Sequence, residues 1–289
     1  MELTKMKPCD TIKNDVLKVI AEVHQKKPMI ECLTNTVTIG DCANIILASG
    51  ASPIMAEDIR EIDEIVSAAG AVVINIGTLK PEMTEAMLAA GKKANEVGVP
   101  VVLDPVGAGA SKLRNDVSAQ LLDQVTFQVI RGNMSEIRAL AGFASQTKGV
   151  DAGGSDAASF ENIEASASVV RRLSQKLGCA VAATGALDII AYGDTAYAIQ
   201  NGHPMLEDVT GTGCMTSSLA GSYCGAGLNL PAAEAVTAVL AMCIAGEKAQ
   251  EYAFKYAEGG IGTFREKLFD YIYTLSDQDI KERGKIYEL

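Results

Sequence analysis

Residues 71–105 read AVVINIGTLKPEMTEAMLAAGKKANEVGVPVVLDP, and this stretch decides the fold class. It begins with a continuous apolar run, Ala71 to Ile76, which is typical of a strand covered on both faces. A helix is predicted from Pro81 to Val97, because proline suits the first helical position and Gly98 suits the stop. A second apolar run, Val99 to Leu103, predicts the next strand. The stretch therefore predicts a strand–helix–strand unit of a parallel sheet.

The same alternation continues on both sides of this unit. Further strands are predicted at Pro28–Leu33, Ser52–Ala56, Val125–Ile130 and Cys179–Ala183, with a hairpin at Ile189–Tyr192 and Ala196–Ile199. Further helices are predicted at Asp41–Leu47, Glu161–Leu177, Gly213–Cys224, Ala232–Phe254 and Thr263–Leu275. The pattern predicts an α/β fold with a mostly parallel sheet and helices on both faces. We interpret the polar stretch from Ser145 to Ser155 as a surface loop, so residues 1–289 are expected to form one domain.

Composition excludes several classes of protein. The 289 residues are 48% hydrophobic and carry a formal net charge of -11, which argues against binding to nucleic acid or to anionic membranes. Seven cysteines without a CxxC spacing indicate free thiols in a reducing compartment, and a zinc site is not expected. The N-terminus has no apolar stretch typical of a signal peptide, and the apolar run Ala235 to Gly246 is too short to span a bilayer. We expect a soluble, cytoplasmic protein.

Polar clusters follow several of the predicted strands. In open α/β sheets, ligands bind beyond the carboxyl ends of the strands. The clusters are Thr34-Asn35, Asn75 to Thr78, Asp104 to Gly109, Arg131 to Glu136 and Thr184-Gly185. Their shared position predicts that they converge on one site.

The most informative local motif is Val209-Thr210-Gly211-Thr212-Gly213-Cys214, which directly precedes a predicted helix. Two glycines and a helix N-terminus form an anion hole that suits a transferring phosphoryl group, although a simple tight turn explains the string equally well. The string is neither a Walker A loop nor a dinucleotide fingerprint. A thiol in the first helical turn can have a lowered pKa, which makes Cys214 a candidate acceptor of a substrate proton, although a small buried side chain is the structural alternative. Glu207 and Asp208 are rival bases.

Three charged residues at strand ends have both functional and structural interpretations. Asp104 and Glu136 are candidate carboxylates for hydrated Mg²⁺, and Arg131 is a candidate phosphate clamp. The structural alternatives are an Asp-Pro turn for Asp104, a salt bridge for Arg131, and a helix cap in which Asn133 pairs with Glu136.

The loop from Cys32 to Asn44 offers neutral hydrogen-bonding groups, among them the side chain of Asn35. Met55 follows in an apolar segment, and its polarizable thioether suits a flat heteroaromatic ring, although core packing accounts for it as well.

Together these segments resemble the hydroxyethylthiazole kinase family, a branch of the ribokinase-like kinases. The matching stretches are LTNTVTIGDCANIILASGASPIMAED, VVINIGTL, VPVVLDPVGAGAS, VIRGNMSEIRAL, GVD, AATGALDII and NGHPMLEDVTGTGCM. They run from Leu33 to Met215. The resemblance implies a ribokinase-like, three-layer α/β/α sandwich and a homotrimer with sites at subunit interfaces. It also implies transfer of the ATP γ-phosphate to 4-methyl-5-(2-hydroxyethyl)thiazole, with Mg²⁺, in thiamine salvage.

The resemblance further assigns roles to individual positions. It implies that Met55 contacts the thiazole, that Gly211 lies at the acceptor alcohol, and that Asn35 and Val37 line the pocket. The remaining implied positions are Arg131 and Thr184 at ATP, and Asp104 and Glu136 near Mg²⁺ and the phosphates.

Cys214 separates this branch from its relatives. Most ribokinase-like kinases have Asp at this position. This sequence resembles the thiazole kinase branch in having Cys, so the cysteine favours that branch. The alternatives are a hydroxymethylpyrimidine or pyridoxal kinase, an ATP- or ADP-dependent hydratase that repairs hydrated nicotinamide nucleotides, and a non-catalytic nucleotide-binding protein.

Overall fold

The central feature of the fold is a nine-stranded sheet. The structure is a computed structural model that describes residues 9–142, 147–148, 151–152, 159 and 162–289. The strands of the sheet are β1 (Met29–Leu33), β2 (Ser52–Ile54), β3 (Ala71–Asn75), β4 (Val101–Asp104), β5 (Val129–Asn133), β8 (Ala180–Thr184), β9 (Asp188–Tyr192), β10 (Thr195–Ile199) and β11 (Ile286–Glu288). A separate short hairpin consists of β6 (Thr147–Lys148) and β7 (Asp151–Ala152).

Helices connect most of these strands and cover the sheet. Within the described residues they are α1 (Asp10–Lys26), α2 (Ile39–Ala48), α3 (Ile62–Ala68), α4 (Pro81–Val97), α5 (Lys112–Gln124), α6 (Met134–Leu140), α7 (Ile163–Leu177), α8 (Thr212–Cys224), α9 (Pro231–Tyr256), α10 (Ile261–Tyr273) and α11 (Asp277–Arg283). None of the helices in this part of the chain is long and apolar enough to cross a membrane.

The strand order is β11-β10-β9-β8-β5-β4-β3-β1-β2. Pairing is parallel from β2 through β8, and antiparallel from β8 through β11. Two apolar cores lie on opposite faces of the sheet, because alternate residues of each strand point to opposite sides. One core contains side chains such as Ile45 and Leu219, and the other contains Met87 and Leu121. The prediction of a mostly parallel sheet between two helical layers is confirmed.

The unit from Ala71 to Asp104 folds as the sequence predicts. Helix α4 spans Pro81–Val97, and Gly98 ends it with φ at 75°. The hairpin of β9 and β10 is also confirmed. The predicted loop from Ser145 to Ser155 lies largely outside the described residues, apart from the β6–β7 hairpin.

Candidate active site

The carboxyl ends of five neighbouring strands meet along one edge of the sheet. Asn75 at the end of β3 is paired in register with Asp104 at the end of β4. Asn133 at the end of β5 is paired with Thr184 at the end of β8. Asn35 lies two residues beyond β1 and donates a hydrogen bond from Nδ2 to Asn75 Oδ1 at 3.1 Å. The predicted convergence of the polar clusters is therefore present in the fold.

The glycine turn lies across this edge. Gly211 is the N-cap of α8 with φ at 92°, a left-handed conformation that favours glycine. A Cβ on Gly211 would come within 2.5 Å of Thr38 Cγ2, and a Cβ on Gly213 would come within 2.6 Å of Arg131 Nη1. The turn is thus packed between the loop after β1 and the guanidinium of Arg131, a residue of β5. The first amides of α8 lack intrahelical partners, so this position can hold an anion.

Cys214 lies in the first turn of α8, and its thiol faces the loop after β1. Asn35 Nδ2 donates a hydrogen bond to Cys214 Sγ at 3.2 Å. Burial, together with the nearby negative charge of Asp104, raises the pKa of Cys214 to about 12. The expectation of a lowered thiol pKa was wrong for the substrate-free protein. The helix N-terminus does not offset the loss of hydration when the side chain is half-buried beside a carboxylate.

Asp104 is buried and is held from two sides. Asn75 Nδ2 and Ser217 Oγ each donate a hydrogen bond to Asp104 Oδ2 at 2.8 Å. Burial raises the pKa of Asp104, while the Arg131 guanidinium and the two hydrogen bonds oppose that shift. The other carboxylate oxygen, Oδ1, is buried and has no hydrogen-bond partner among the described residues. Sequence reasoning missed Ser217, and the only signal for it was its position one turn after Cys214 on the same helix.

The guanidinium of Arg131 lies at the centre of the site. Its Nη2 donates a hydrogen bond to Thr184 Oγ1, while Nε is buried with no partner in the described part of the chain. A third carboxylate, Asp188, lies nearby, and it accepts hydrogen bonds from Gly185 N at 3.0 Å and Cys243 Sγ at 3.3 Å. Burial raises the pKa of Asp188 to about 6, and Arg131 opposes the shift. Arg131 and Thr184 therefore lie together, as the two predicted ATP contacts should.

Glu136 combines a structural and an electrostatic role. Asn133 Oδ1 accepts from Glu136 N at 2.9 Å, and Glu136 Oε2 accepts from Asn133 N at 2.7 Å, so the capping alternative is confirmed. Its Oε1 accepts a hydrogen bond from Gly107 N at 2.7 Å. Burial raises the pKa of Glu136 to about 7, and the negative charge of Asp104 contributes. The two carboxylates are thus close enough to influence each other.

The donor set near Asp104 fits a hydrated cation rather than a protein-enclosed one. The described residues contain no group of three or more His, Cys, Asp or Glu side chains that could hold a metal ion. Mg²⁺ typically uses one or two carboxylates and completes its shell with water and phosphate oxygens. The unpartnered Oδ1 of Asp104 and the adjacent carboxylate of Glu136 match that requirement.

The other predicted residues lie nearer the surface. Val37 is 68% exposed, and it lines a cleft together with Asp208 and Thr210. Met55 is half-buried against the core. Glu207 and Asp208 are exposed, which favours the view that both are solvated rather than catalytic.

The fold, with its candidate site at the carboxyl ends of five parallel strands, is similar to the fold of the ribokinase-like proteins. The fold is similar to a ribokinase-like superfamily protein from Enterococcus faecalis, with a TM-score of 0.60 at 11% identity over 89% of each chain. It is also similar to a pyridoxal kinase from Bacillus subtilis, with a TM-score of 0.54 at 16% identity over 76% of this chain and 92% of that one. At these identities the likeness shows the fold alone.

Closer relatives specify the family. Residues 20–278 match the hydroxyethylthiazole kinase family. The chain is 48% identical to the hydroxyethylthiazole kinase of Clostridium beijerinckii, over 94% of this chain and 96% of that protein. The hydroxyethylthiazole kinase structure from Pyrococcus horikoshii has a TM-score of 0.84 at 36% identity, covering 96% of this chain and 99% of that one. The chain belongs to the hydroxyethylthiazole kinase family.

Proposed function

We propose that this chain transfers the γ-phosphoryl group of ATP to the hydroxyl of 4-methyl-5-(2-hydroxyethyl)thiazole, a step in thiamine salvage. The observation that carries the proposal is the packing of the turn from Gly211 to Cys214 between Thr38 and Arg131, above the carboxylate of Asp104. Membership of the family supports the choice of acceptor.

Positioning and charge stabilisation account for the chemistry that these residues would perform. Phosphoryl transfer needs little covalent participation from the protein. The amides at the start of α8 and the Arg131 guanidinium would bind the oxygens of the transferring group, where negative charge develops. Arg131 and Thr184 would orient the phosphates of ATP. Met55, Val37 and Asn35 would hold the thiazole alcohol beside Gly211.

Cys214 is the residue we propose to face the acceptor hydroxyl. A thiol with a pKa of about 12 is protonated at neutral pH and cannot take a proton. The charge of Asp104 is the second cause of that raised pKa, so neutralising this carboxylate when substrates bind would lower it. Asn35 Nδ2 already donates a hydrogen bond to Sγ and would stabilise the thiolate.

Asp104 and Glu136 are the residues that would hold Mg²⁺. A cation held by these two carboxylates would supply positive charge to offset the negative charge that develops on the transferring phosphoryl group. Asp104 Oδ1 is available for this purpose, because both hydrogen bonds to the carboxylate go to Oδ2.

A homotrimer with interface sites is part of the proposal. Three large apolar side chains in the segment between β1 and α3 are exposed: Val37 at 68%, Leu47 at 54% and Ile59 at 51%. Exposed apolar surface of this kind is typical of regions that associate with another chain. Light scattering coupled to gel filtration would measure the mass in solution, and a monomer would contradict this part of the proposal.

A coupled ADP-release assay tests the activity. The thiazole alcohol, hydroxymethylpyrimidine and pyridoxal should be compared as acceptors, each with and without Mg²⁺. We expect turnover with the thiazole alcohol that requires Mg²⁺. Faster turnover of either other alcohol, by kcat/KM, would reject the proposed acceptor.

A further inference from the structure

The side-chain amide of Asn75 is bonded at both ends. Asn75 is 1% exposed and lies at the end of β3, between β1 and β4. Its Oδ1 accepts hydrogen bonds from Asn35 Nδ2 at 3.1 Å and from Gly77 N at 2.9 Å, and its Nδ2 donates to Asp104 Oδ2 at 2.8 Å. Exchanging its oxygen and nitrogen would oppose donor to donor and acceptor to acceptor, so these partners fix the orientation of the amide.

The amide of Asn35 is fixed in the same way. Its Oδ1 accepts three hydrogen bonds of 3.1 Å, from Val37 N, Thr38 N and Thr38 Oγ1. Its Nδ2 donates to Asn75 Oδ1 and to Cys214 Sγ. The orientation of Asn35 therefore turns a donor toward the thiol, and Asn75 accepts the other hydrogen of the same amide.

We propose that Asn75 is a positioning residue that fixes the acceptor end of the site relative to the phosphate end. The acceptor end is the loop that carries Asn35, together with Cys214, and the phosphate end is Asp104. The assignment of these two ends rests on the proposed function. Gly77 packs closely against both asparagines: a Cβ on Gly77 would come within 2.8 Å of Asn35 Cβ and 2.9 Å of Asn75 Oδ1.

The rate of group transfer depends on how accurately the acceptor end is placed relative to the phosphate end. Misplacing reacting groups by about 1 Å costs on the order of 100-fold in rate. Loss of Asn75 would leave the residues of both ends in the chain but would loosen the loop that carries Asn35 and its placement relative to Asp104. We therefore expect kcat to fall while the KM values of both substrates change little.

Four variants separate the link from its parts. Asn75→Ala removes both the acceptor oxygen and the donor nitrogen of the side-chain amide. Asn75→Asp keeps an acceptor for Asn35 but cannot donate a hydrogen bond to Asp104. Ser217→Ala removes the other donor to Asp104 and leaves the hydrogen bond between Asn35 and Asn75 in place. Asn95→Ala is the matched control, because Asn95 also joins two segments through both ends of its amide, bonding Thr126 N and O at 2.7 and 2.9 Å away from the site.

Two measurements are made on each folded variant. Hydrogen–deuterium exchange of residues 34–39 reports the backbone amides that donate to Asn35, and it needs no turnover. We expect Asn75→Ala to speed exchange in this segment, and Ser217→Ala and Asn95→Ala to leave it at the wild-type rate. Steady-state kinetics should show kcat about 10-fold to 100-fold lower for both Asn75 variants, with both KM values within about threefold, and unchanged kcat for Asn95→Ala.

The outcomes that overturn the proposal are distinct from failure of the proposed function. Wild-type exchange at residues 34–39 in Asn75→Ala would show that Asn75 does not brace the loop. An unchanged kcat, or a rise in the KM of one substrate alone, would show that the two ends are not joined through it. If the wild-type protein does not phosphorylate the thiazole alcohol, the proposed function fails, while the exchange comparison still decides whether Asn75 holds the loop.

Discussion

Replacing Gly213 by alanine tests whether the guanidinium of Arg131 must lie against the start of α8. Gly213 is the second residue of the helix and does not have a positive φ, so alanine fits the backbone. Its Cβ would come within 2.6 Å of Arg131 Nη1 and 3.2 Å of Nη2. Such distances are too short for a Cβ contact, so the guanidinium must move.

The size of that movement sets the expected effect. Ordinary van der Waals contact begins at 3.4 Å, so Nη1 must retreat by about 0.8 Å from its present 2.6 Å to reach it. This also disturbs the hydrogen bond from Arg131 to Thr184. Misplacement by about 1 Å costs on the order of 100-fold, so we expect kcat/KM for ATP to fall about 10-fold to 100-fold. That corresponds to about 1.4–2.7 kcal/mol of transition-state stabilisation.

The coupled ADP-release assay measures this effect with either substrate varied. We expect the KM of the thiazole alcohol to stay within about twofold, because Gly213 touches the nucleotide side of the turn. Gly40→Ala is the matched control, since Gly40 is also the second residue of a helix and has nothing within 4 Å of an added Cβ. A Gly213→Ala enzyme within about twofold of wild type in kcat/KM for ATP would refute the placement of Arg131.

Three further predictions concern other groups. Cys214→Ala should lose kcat without losing affinity for the thiazole alcohol, whereas Cys214→Asp should stay active because a carboxylate can accept the proton; an Ala variant as fast as wild type would reject the role. Arg131→Ala should raise the KM of ATP more than that of the thiazole alcohol, and the reverse would contradict its assignment. Glu31 is buried, and burial raises its pKa to about 8 from 4.5. Stability is therefore lost as pH rises from about 4.5 through 8, because the folded state binds the extra proton. Glu31→Gln should then raise Tm relative to wild type at pH 8 but not at pH 4, and equal Tm values at pH 8 would count against it.

Local patterns were sufficient for the strand–helix alternation, because burial on both faces and helix-stop glycines leave a signal within a few residues. Helix α4 and the hairpin of β9 and β10 show this. Helix α1 also leaves a local signal, since its buried residues Ile12, Val16, Val19, Ile20 and Val23 recur at helical spacing, but the pairing between the first and last described segments leaves none. Cys9 N donates to Ile286 O at 3.1 Å, and β11 pairs with β10 at the edge of the sheet. Those contacts join the two ends of the chain, and no local pattern encodes them.

The sequence predicted which strand ends form the candidate site. It did not predict the hydrogen bonds and the burial that connect the side chains there. Ser217 could not be assigned, since its role depends on contact with Asp104, 113 positions away. The pKa of Cys214 was mispredicted for a related reason. A helix N-terminus is visible in sequence, whereas the burial and the facing carboxylate that outweigh it are tertiary properties.

The candidate site contains more carboxyl groups than positively charged side chains, and this balance bears on whether a cation is required. Burial raises the pKa of three carboxyls, Asp104, Glu136 and Asp188, and the same guanidinium, that of Arg131, acts to lower all three. A triphosphate arriving beside them adds further negative charge, and the N-terminus of α8 supplies only about half a positive charge. Arg131 cannot offset both sets of anions at once, because each carboxylate that it stabilises reduces the field it offers to a phosphate. We therefore propose that the nucleotide binds productively together with a divalent cation, and that Asp104 Oδ1, which is buried without a hydrogen-bond partner among the described residues, would receive that cation.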